Sequence, residues 1–182
     1  KKSILALSFF TLTTIAAKAQ ELNVKWTEEM EIPNKNEVYS MRKSKDNSVY
    51  IVREKEYVNI ESRFYLSKYE GDSFTFKFDI EIDFPKYNGE KPKYKDVVFI
   101  GDKLYILSTC YNEKEEMNYC LANEVNQNTG TVSDYIKVDQ SSTSKKEGSA
   151  SYRICKTEDG TKLAVLAFPS YNTYNGQTYN IN

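Results

Sequence analysis

The stretch that decides the fold reads Lys93-Tyr-Lys-Asp-Val-Val-Phe-Ile100, a Gly101-Asp-Lys103 turn, Leu104-Tyr-Ile-Leu107, Tyr119-Cys-Leu121 and Tyr135-Ile-Lys-Val138. It contains four short apolar runs, separated by one tight turn and two longer polar segments. Aromatic and β-branched residues dominate the runs, and such side chains suit a pleated, half-buried surface. The stretch therefore predicts a unit of four antiparallel strands.

The unit has two partial copies elsewhere in the chain. Val49-Tyr-Ile-Val52 aligns with Leu104-Tyr-Ile-Leu107 at an offset of 55 residues, and Leu163-Ala-Val-Leu166 follows at 59. A turn of the same chemistry precedes each run: Asp46-Asn47-Ser48, Gly101-Asp102-Lys103 and Asp159-Gly160-Thr161. Asn, Asp and Gly tolerate the positive φ of such turns. Matching offsets and turns indicate an internal repeat.

Each unit divides into strands A to D. The first unit is predicted as 37–43, 49–53, 63–69 and 74–82, and the second as 94–100, 104–109, 118–125 and 132–138; the third has strands near 152–156 and 163–168 and another from Gln177. The B strands are continuously apolar, which is typical of strands covered on both faces. In the first D strand, Phe74, Phe76, Phe78, Ile80 and Ile82 alternate with polar residues and are predicted to share one face.

The four-strand unit with its Asp/Gly turn resembles the propeller repeats of the WD40-like and kelch-like kind, although the Gly-His, Trp-Asp and double-glycine signatures are absent. The resemblance implies an all-β, β-propeller-like array of four-stranded antiparallel blades. Blade 1 is expected at 36–84, blade 2 at 92–139 and an incomplete blade 3 at 149–182. About two and a half blades are then present, and the array is expected to be truncated, because a ring has roughly four to eight blades.

The first residues have the pattern of an export signal. Lys1 and Lys2 precede an uncharged apolar run, and Ala17-Lys-Ala19 is a small-x-small cleavage pattern. Residues 1–19 are predicted to be a signal peptide that resembles bacterial export signals, with an uncleaved anchor as the alternative. Residues 20–35 are predicted to be a strand that closes the ring. We expect a secreted, periplasmic or outer-surface protein with no transmembrane segment after cleavage.

Charge and residue content exclude several functions. The net charge of −1 gives no basic surface for nucleic acid. The chain has no His, so Ser-His-Asp and Cys-His chemistry are excluded within it. The acidic residues Asp79, Glu81 and Asp83 of one strand face are interpreted as a solvated edge rather than a calcium site. No catalytic residue, metal site or cofactor is predicted.

Three cysteines, Cys110, Cys120 and Cys155, are present. Cys110 and Cys120 flank a predicted hairpin loop, so a cross-strand disulfide between them is one interpretation. Free thiols buried in the strands are the other, and are favoured because buried free Cys is common.

The candidate binding residues lie in the longer loops, at 54–62, 84–92, 110–117, 139–150 and 169–176, which the propeller topology places on one face. Tyrosine rings stack on sugars or peptide side chains, and Asn offers paired donor and acceptor groups. The candidates are Tyr57, Tyr87, Asn88, Tyr111, Asn112, Tyr171, Asn172 and Tyr174.

The sequence thus predicts an exported scaffold that binds a protein or a glycan and is not itself catalytic. One alternative is a fragment of a secreted hydrolase or lyase whose catalytic residues lie in missing blades. Another is a structural component of the cell envelope.

Overall fold

A computed structural model describes residues 36–57, 60–143, 150–168 and 180–181. Within these ranges the chain is all-β, as predicted, and contains no helix. The predicted signal peptide, the predicted strand within 20–35 and the predicted strand start at Gln177 lie outside the described residues. Accordingly, no helix of the described part is long and apolar enough to cross a membrane. The strands are β1 (Asn36–Lys43), β2 (Val49–Tyr57), β3 (Ile60–Glu70), β4 (Thr75–Ile82), β5 (Lys93–Ile100), β6 (Lys103–Asn112), β7 (Met117–Val125), β8 (Ile136–Ser142), β9 (Ser151–Lys156), β10 (Leu163–Phe168) and β11 (Asn180–Ile181).

The strands form three antiparallel sheets. Sheet 1 has the order β1-β2-β3-β4 and sheet 2 the order β5-β6-β7-β8, while sheet 3 consists of β9, β10 and the short β11. Strands adjacent in sequence are therefore adjacent in each sheet, as hairpin connections require. The predicted four-stranded antiparallel sheets are confirmed. None of the described sheets closes on itself, and the propeller arrangement stays a prediction.

Sheets 1 and 2 share a detailed strand register. The pairing of β1 with β2 shifts between Val38 and Ser40, and the pairing of β5 with β6 shifts between Tyr94 and Asp96. Beyond the shift, Met41 lies opposite Ile51 in sheet 1, and Val97 lies opposite Ile106 in sheet 2. Each shift is an irregularity that changes the direction of the first strand of its sheet.

The predicted turn chemistry is confirmed at the first turn of each sheet. Asn47, Gly101 and Gly160 all have positive φ, at 65°, 61° and 68°. Asn and Gly adopt this left-handed conformation at the lowest cost. The three turns also contact one another in chain order: Lys45 Nζ lies 2.8 Å from Asp102 Oδ1, and the Gly101 amide donates to the Gly160 carbonyl at 2.9 Å.

Sheet 2 is packed between the other two sheets. One of its faces contributes Val97, Leu104 and Ile106, each 0% exposed, to a core shared with sheet 1. The other face contributes Leu107, Cys120 and Ala122 to cores that include residues of sheet 3. Each fully buried aliphatic side chain stabilises the fold by about 1.5–3 kcal/mol. The continuously apolar run of β6 is thus explained by cover on both faces.

The predicted alternation in the fourth strand is wrong at its start. Phe78 and Ile82 belong to the core shared with sheet 2, and Ile80 packs against it. Between Phe78 and Phe76 the register with β3 shifts, so that Phe76 lies opposite Tyr69 on the other face and is 56% exposed. Phe74 precedes the strand, with a φ of 52°. One extra residue at a bulge moves the side chains that precede it in the strand to the opposite face of the sheet.

The disulfide interpretation is also wrong, because the described cysteines are free. In the β6–β7 pair Cys110 lies opposite Tyr119, whereas Cys120 lies opposite Thr109. Neighbouring positions along a strand point to opposite faces, so the two thiols lie on opposite sides of sheet 2. Both are buried. The structure therefore agrees with the favoured interpretation, in which Cys110 and Cys120 are free thiols buried in the strands.

Candidate binding groove between sheets 1 and 2

Three of the residues predicted to lie in loops are at the ends of strands instead. Tyr57 ends β2, and Tyr111 and Asn112 end β6, because both central strands continue past their predicted ends. Tyr57 is flanked by two cations, with Lys55 Nζ 5.2 Å and the Arg63 guanidinium carbon 5.5 Å from the ring centroid. Tyr171, Asn172 and Tyr174 lie outside the described residues.

Three of the predicted residues meet where the segment 83–92 crosses the end of sheet 2. Asn112 Nδ2 donates to the Asn88 carbonyl at 2.9 Å, and Tyr87 and Glu90 exchange backbone hydrogen bonds. Asn112 is only 3% exposed, and its Oδ1 accepts from the Lys114 amide. The three residues therefore fix the connecting segment to sheet 2, and Asn112 has little surface left for a ligand.

An aromatic and acidic cluster completes this attachment. The Tyr87 ring packs edge-on against Tyr119 and Tyr135, with centroids 5.2 and 5.6 Å apart. Tyr119 Oη donates to Glu115 Oε2 at 2.5 Å, and this hydrogen bond is the main cause that raises the pKa of Tyr119. Tyr135 Oη donates to the Pro85 carbonyl at 2.6 Å. The hydroxyls of Tyr119 and Tyr135 thus have hydrogen-bond partners within the protein, and packing explains the cluster.

Tyr111 is separated from these residues. It pairs with Asn118 on the face of sheet 2 that is turned toward sheet 3, so strand alternation places it opposite to Asn112. Tyr111, Asn118 and Tyr152 line a cavity of about 300 Å³. The predicted candidates that can be described are therefore divided among sheet 1, which holds Tyr57, and the two faces of sheet 2, and they do not form one site.

A larger groove lies between sheets 1 and 2, near the same connecting segment. Its volume is about 850 Å³, and its walls come from the start of β3, the end of β4, the segment 83–92 and the start of β5. Phe64 of β3 and Tyr94 of β5 stack across it, with centroids 4.2 Å apart and planes 23° apart. Tyr39 of β1 packs edge-on against both rings, at 5.4 and 5.6 Å.

This aromatic triad of Tyr39, Phe64 and Tyr94 presents one open ring. Tyr39 is 52% exposed, whereas Phe64 and Tyr94 are half-buried. Burial raises the pKa of Tyr94, with a smaller contribution from Asp96, so its hydroxyl stays neutral at physiological pH. The stacked rings of Phe64 and Tyr94 are thus held in place by packing, and the accessible ring of Tyr39 lies beside them.

Charged side chains of both signs surround the groove. Arg63 Nη1 lies 3.3 Å from Glu81 Oε1, and Lys91 Nζ lies 3.4 Å from Asp83 Oδ1. The Glu81 carboxylate raises the pKa of Arg63. Both ion pairs are well exposed, so each contributes little to the stability of the fold. A ligand group could therefore replace one partner of either pair at low cost. Of the predicted acidic edge, Glu81 and Asp83 lie in one wall of the groove. Asp79 does not line it and is not simply solvated, because it accepts hydrogen bonds from Arg53 Nη2 at 2.6 Å and Ser67 Oγ at 2.7 Å.

A second groove of about 680 Å³ lies at the opposite end of the sheets, among the first turns. Several of its polar groups are already bonded to each other. Lys68 Nζ contacts Glu70 Oε1 at 2.6 Å and donates to the Gln127 carbonyl at 2.9 Å, and Tyr50 Oη donates to Gln127 Oε1 at 3.1 Å. These bonds connect sheets 1 and 2, so this groove is better explained by packing than by ligand binding.

The described residues include no group of three His, Cys, Asp or Glu side chains that could hold a metal ion. Comparison with protein-family models finds no match, and comparisons with curated proteins and with solved structures find none either. The candidate site therefore stands on its own geometry.

Proposed function

We propose that the chain is an exported, propeller-like scaffold that binds a protein or a glycan in the groove between sheets 1 and 2. The observation that carries the proposal is the aromatic triad with its charged surround. Half-exposed Tyr39 packs against the lining rings Phe64 and Tyr94 and offers a ring for stacking beside the groove. Arg63, Glu81 and Lys91 offer donors and acceptors in the groove wall. A few polar groups around an apolar floor are typical of ligand sites.

The propeller arrangement is supported by how the sheets follow one another. They pack face to face in chain order, and their first turns form a row through Lys45, Asp102 and the bond from Gly101 to Gly160. Arg42 of β1 also donates to the Val97 carbonyl of β5 at 2.9 Å and to Asp96 Oδ1 at 2.7 Å. The first strands of sheets 1 and 2, β1 and β5, are thus adjacent, as the innermost strands of neighbouring blades are around the axis of a propeller.

The test is a binding screen on glycan and peptide arrays, followed by titration of each hit. Changing Tyr39→Ala removes the open ring while leaving the Phe64–Tyr94 stack in place. We expect binding to weaken about tenfold, the equivalent of one lost aromatic contact. Phe74→Ala is the matched control, because Phe74 is a partly exposed ring in the turn at the other end of sheet 1.

The Tyr111→Ala variant separates the groove from the predicted loop site. Unchanged binding in this variant supports the groove, since Tyr111 faces sheet 3. Loss of binding in Tyr111→Ala together with full binding in Tyr39→Ala would place the ligand in the smaller cavity and overturn the groove assignment. Equal binding by Tyr39→Ala and the wild-type chain would also remove it.

A further inference from the structure

The cavity between sheets 2 and 3 is lined by two polar groups that the protein itself does not satisfy. Tyr111 of β6 and Asn118 of β7 lie opposite each other, and both line this cavity of about 300 Å³. Within the described part of the chain, neither Tyr111 Oη nor Asn118 Nδ2 has a hydrogen-bond partner, although both atoms are buried. An unsatisfied buried polar group destabilises a fold, so two of them beside one cavity call for an explanation.

The Asn118 amide is held in one orientation. Its Oδ1 accepts a hydrogen bond from the Ala150 amide at 2.7 Å, and because a backbone N–H can only donate, the other atom of the group is Nδ2. Asn118 is 1% exposed, so bulk water does not reach it. Asn118 Nδ2 is therefore a fixed donor, and it suits a ligand that brings an acceptor oxygen.

Tyr111 is a second donor beside Asn118. Burial raises the pKa of Tyr111, and the carboxylates of Glu113 and Glu116 act in the same direction, so the hydroxyl keeps its proton at physiological pH. The hydroxyl can also accept a hydrogen bond. Two neutral donors at the inner end of the cavity favour an oxygen-rich ligand.

The other polar residues of the cavity carry charges of both signs. Lys91 and Lys93 contribute ammonium groups, and Glu90 contributes a carboxylate. A charged ligand would be attracted by one of these groups and repelled by another. A neutral ligand with hydroxyl groups avoids the repulsion, because a hydroxyl can donate to Glu90 and accept from a lysine.

The size and the aromatic part of the wall narrow the ligand further. Tyr111 comes from β6 and Tyr152 from β9, and tyrosine rings can pack on the C–H face of a sugar. The volume is at the lower end of the range of ligand sites. It has room for roughly ten water molecules, so it is larger than a single bridging water needs and small for a chain of sugars.

We propose that this cavity binds one neutral sugar ring, either as a free monosaccharide or as the terminal residue of a glycan. Asn118 and Tyr111 donate to oxygens of the ring, Glu90 and Lys93 bind its outer hydroxyls, and Tyr152 packs against it. The cavity is on the opposite side of sheet 2 from the groove and does not depend on the function proposed there. Since Lys91 and Lys93 border both, the variants below change residues that belong to one site alone.

The first experiment follows side-chain and backbone amides by NMR while the chain is titrated with glucose, galactose, mannose and N-acetylglucosamine at millimolar concentrations. At least one of these sugars should shift the Asn118 side-chain amide and the Ala150 backbone amide. The control is the side-chain amide of Asn123, also buried on β7, whose Nδ2 already donates to the Ser133 carbonyl at 2.9 Å. Its resonance should not move, and no shift at Asn118 with any of the four sugars would overturn the proposal.

The Tyr111→Phe variant removes one hydroxyl and keeps the ring. We expect sugar binding to weaken about three- to tenfold, the equivalent of one hydrogen bond. Without sugar, this variant should be as stable as the wild type or more so, because the hydroxyl that it loses has no partner in the protein. Tyr105→Phe is the matched control, since Tyr105 is on the same face of β6 and packs in a cluster outside the cavity. Equal binding by Tyr111→Phe and the wild type would contradict the proposal.

Further ligands and one groove variant complete the test. Glucosamine and glucuronate, the charged counterparts, should bind more weakly than the neutral sugar, and tighter binding of either would overturn the ligand class. An oligosaccharide whose non-reducing end is the bound sugar should bind if the site takes a glycan terminus, and should not if it takes only the free sugar. Tyr39→Ala should bind the sugar normally. Loss of sugar binding in Tyr39→Ala but not in Tyr111→Phe would place the sugar in the groove and remove the cavity site.

Discussion

Asp46 and Asp159 accept the same set of hydrogen bonds in the first turns of sheets 1 and 3. In each turn a hydroxyl two residues before the Asp bonds to its Oδ1, as does the amide two residues after it. The hydroxyl of that second residue bonds to Oδ2. The partners are Ser44 and Ser48 for Asp46, and Thr157 and Thr161 for Asp159. The carboxylate thereby organises a turn whose next residue, Asn47 or Gly160, is left-handed.

The first prediction concerns acid stability. The hydrogen bonds lower the pKa of Asp159 from 3.8 to about 2, with the Thr157 hydroxyl as the largest cause, and they also lower the pKa of Asp46. A pKa depressed by folding stabilises the fold above the unfolded value near 3.8, and this contribution is lost as the pH falls toward 2. Urea unfolding from pH 5 to pH 2 should show a smaller fall for Asp159→Asn than for the wild type. Glu158→Gln, at an exposed neighbour, should follow the wild-type curve, and identical curves for all three would contradict the prediction.

The second prediction concerns Gly130, in the turn that follows β7. Its φ is 77°, and a Cβ there would lie 3.1 Å from both Ile80 Cγ2 and Phe78 Cδ2 of sheet 1. Gly130→Ala adds backbone strain and a tight contact that the side chains of sheet 1 must move to relieve, so we expect a loss of about 2–4 kcal/mol in the free energy of unfolding. Gly71→Ala, with a φ of 66° and open space around it, should lose only about 1–2 kcal/mol. Equal losses in urea titrations would show that the contact between the sheets contributes nothing.

The third prediction compares two lysines that share one carboxylate. Lys68 and Lys77 both pair with Glu70, at 2.6 and 2.9 Å, but their side chains are 3% and 42% exposed. Lys68→Met leaves the Gln127 carbonyl without this donor, which should cost about 1–3 kcal/mol. Lys77→Met should cost less than about 1 kcal/mol, as exposed pairs do. The measurement is chemical unfolding of both variants, and a smaller loss for Lys68→Met than for Lys77→Met is the contrary outcome.

The fourth prediction concerns the thiols. Burial raises the pKa of Cys110 to about 11 and that of Cys120 to about 12, whereas Cys155 is exposed. Because the thiolate is the reactive form, iodoacetamide at pH 8 should label one cysteine quickly in the native chain and all three in denaturant. Cys155→Ser should remove the fast reaction. After mild oxidation, peptide mapping should find no bond between Cys110 and Cys120, and detecting that bond would contradict the strand register.

Much of the fold is readable from local sequence, because strands and tight turns have short-range signatures. The apolar run Val49–Val52 and the turn residue Asn47 place β1 and β2 with little error at their shared end. The far ends of the strands are less readable. Tyr111 and Asn112 extend β6 although their neighbours are polar, since pairing with Met117 and Asn118 supplies backbone partners that composition does not reveal.

The candidate site was less predictable than the fold. Phe64 and Tyr94 were expected only as strand residues, and nothing in their own neighbourhoods sets them apart. They belong to different sheets, so their stacking depends on how one sheet packs on the other, which is a long-range property. Loop tyrosines such as Tyr87 carried the clearer sequence signal, yet packing on Tyr119 accounts for that residue.

The central position of sheet 2 also bears on how the molecule opens. Where units contact only their neighbours in a row, stability is close to a sum of unit and interface terms, and the ends can separate first. Amide hydrogens of β6, whose Ile106 and Leu107 face different neighbours and are both fully buried, should then exchange most slowly with solvent. Those of β10, with one covered face in the described part, should exchange sooner, so that loss of structure proceeds from the ends of the row inward.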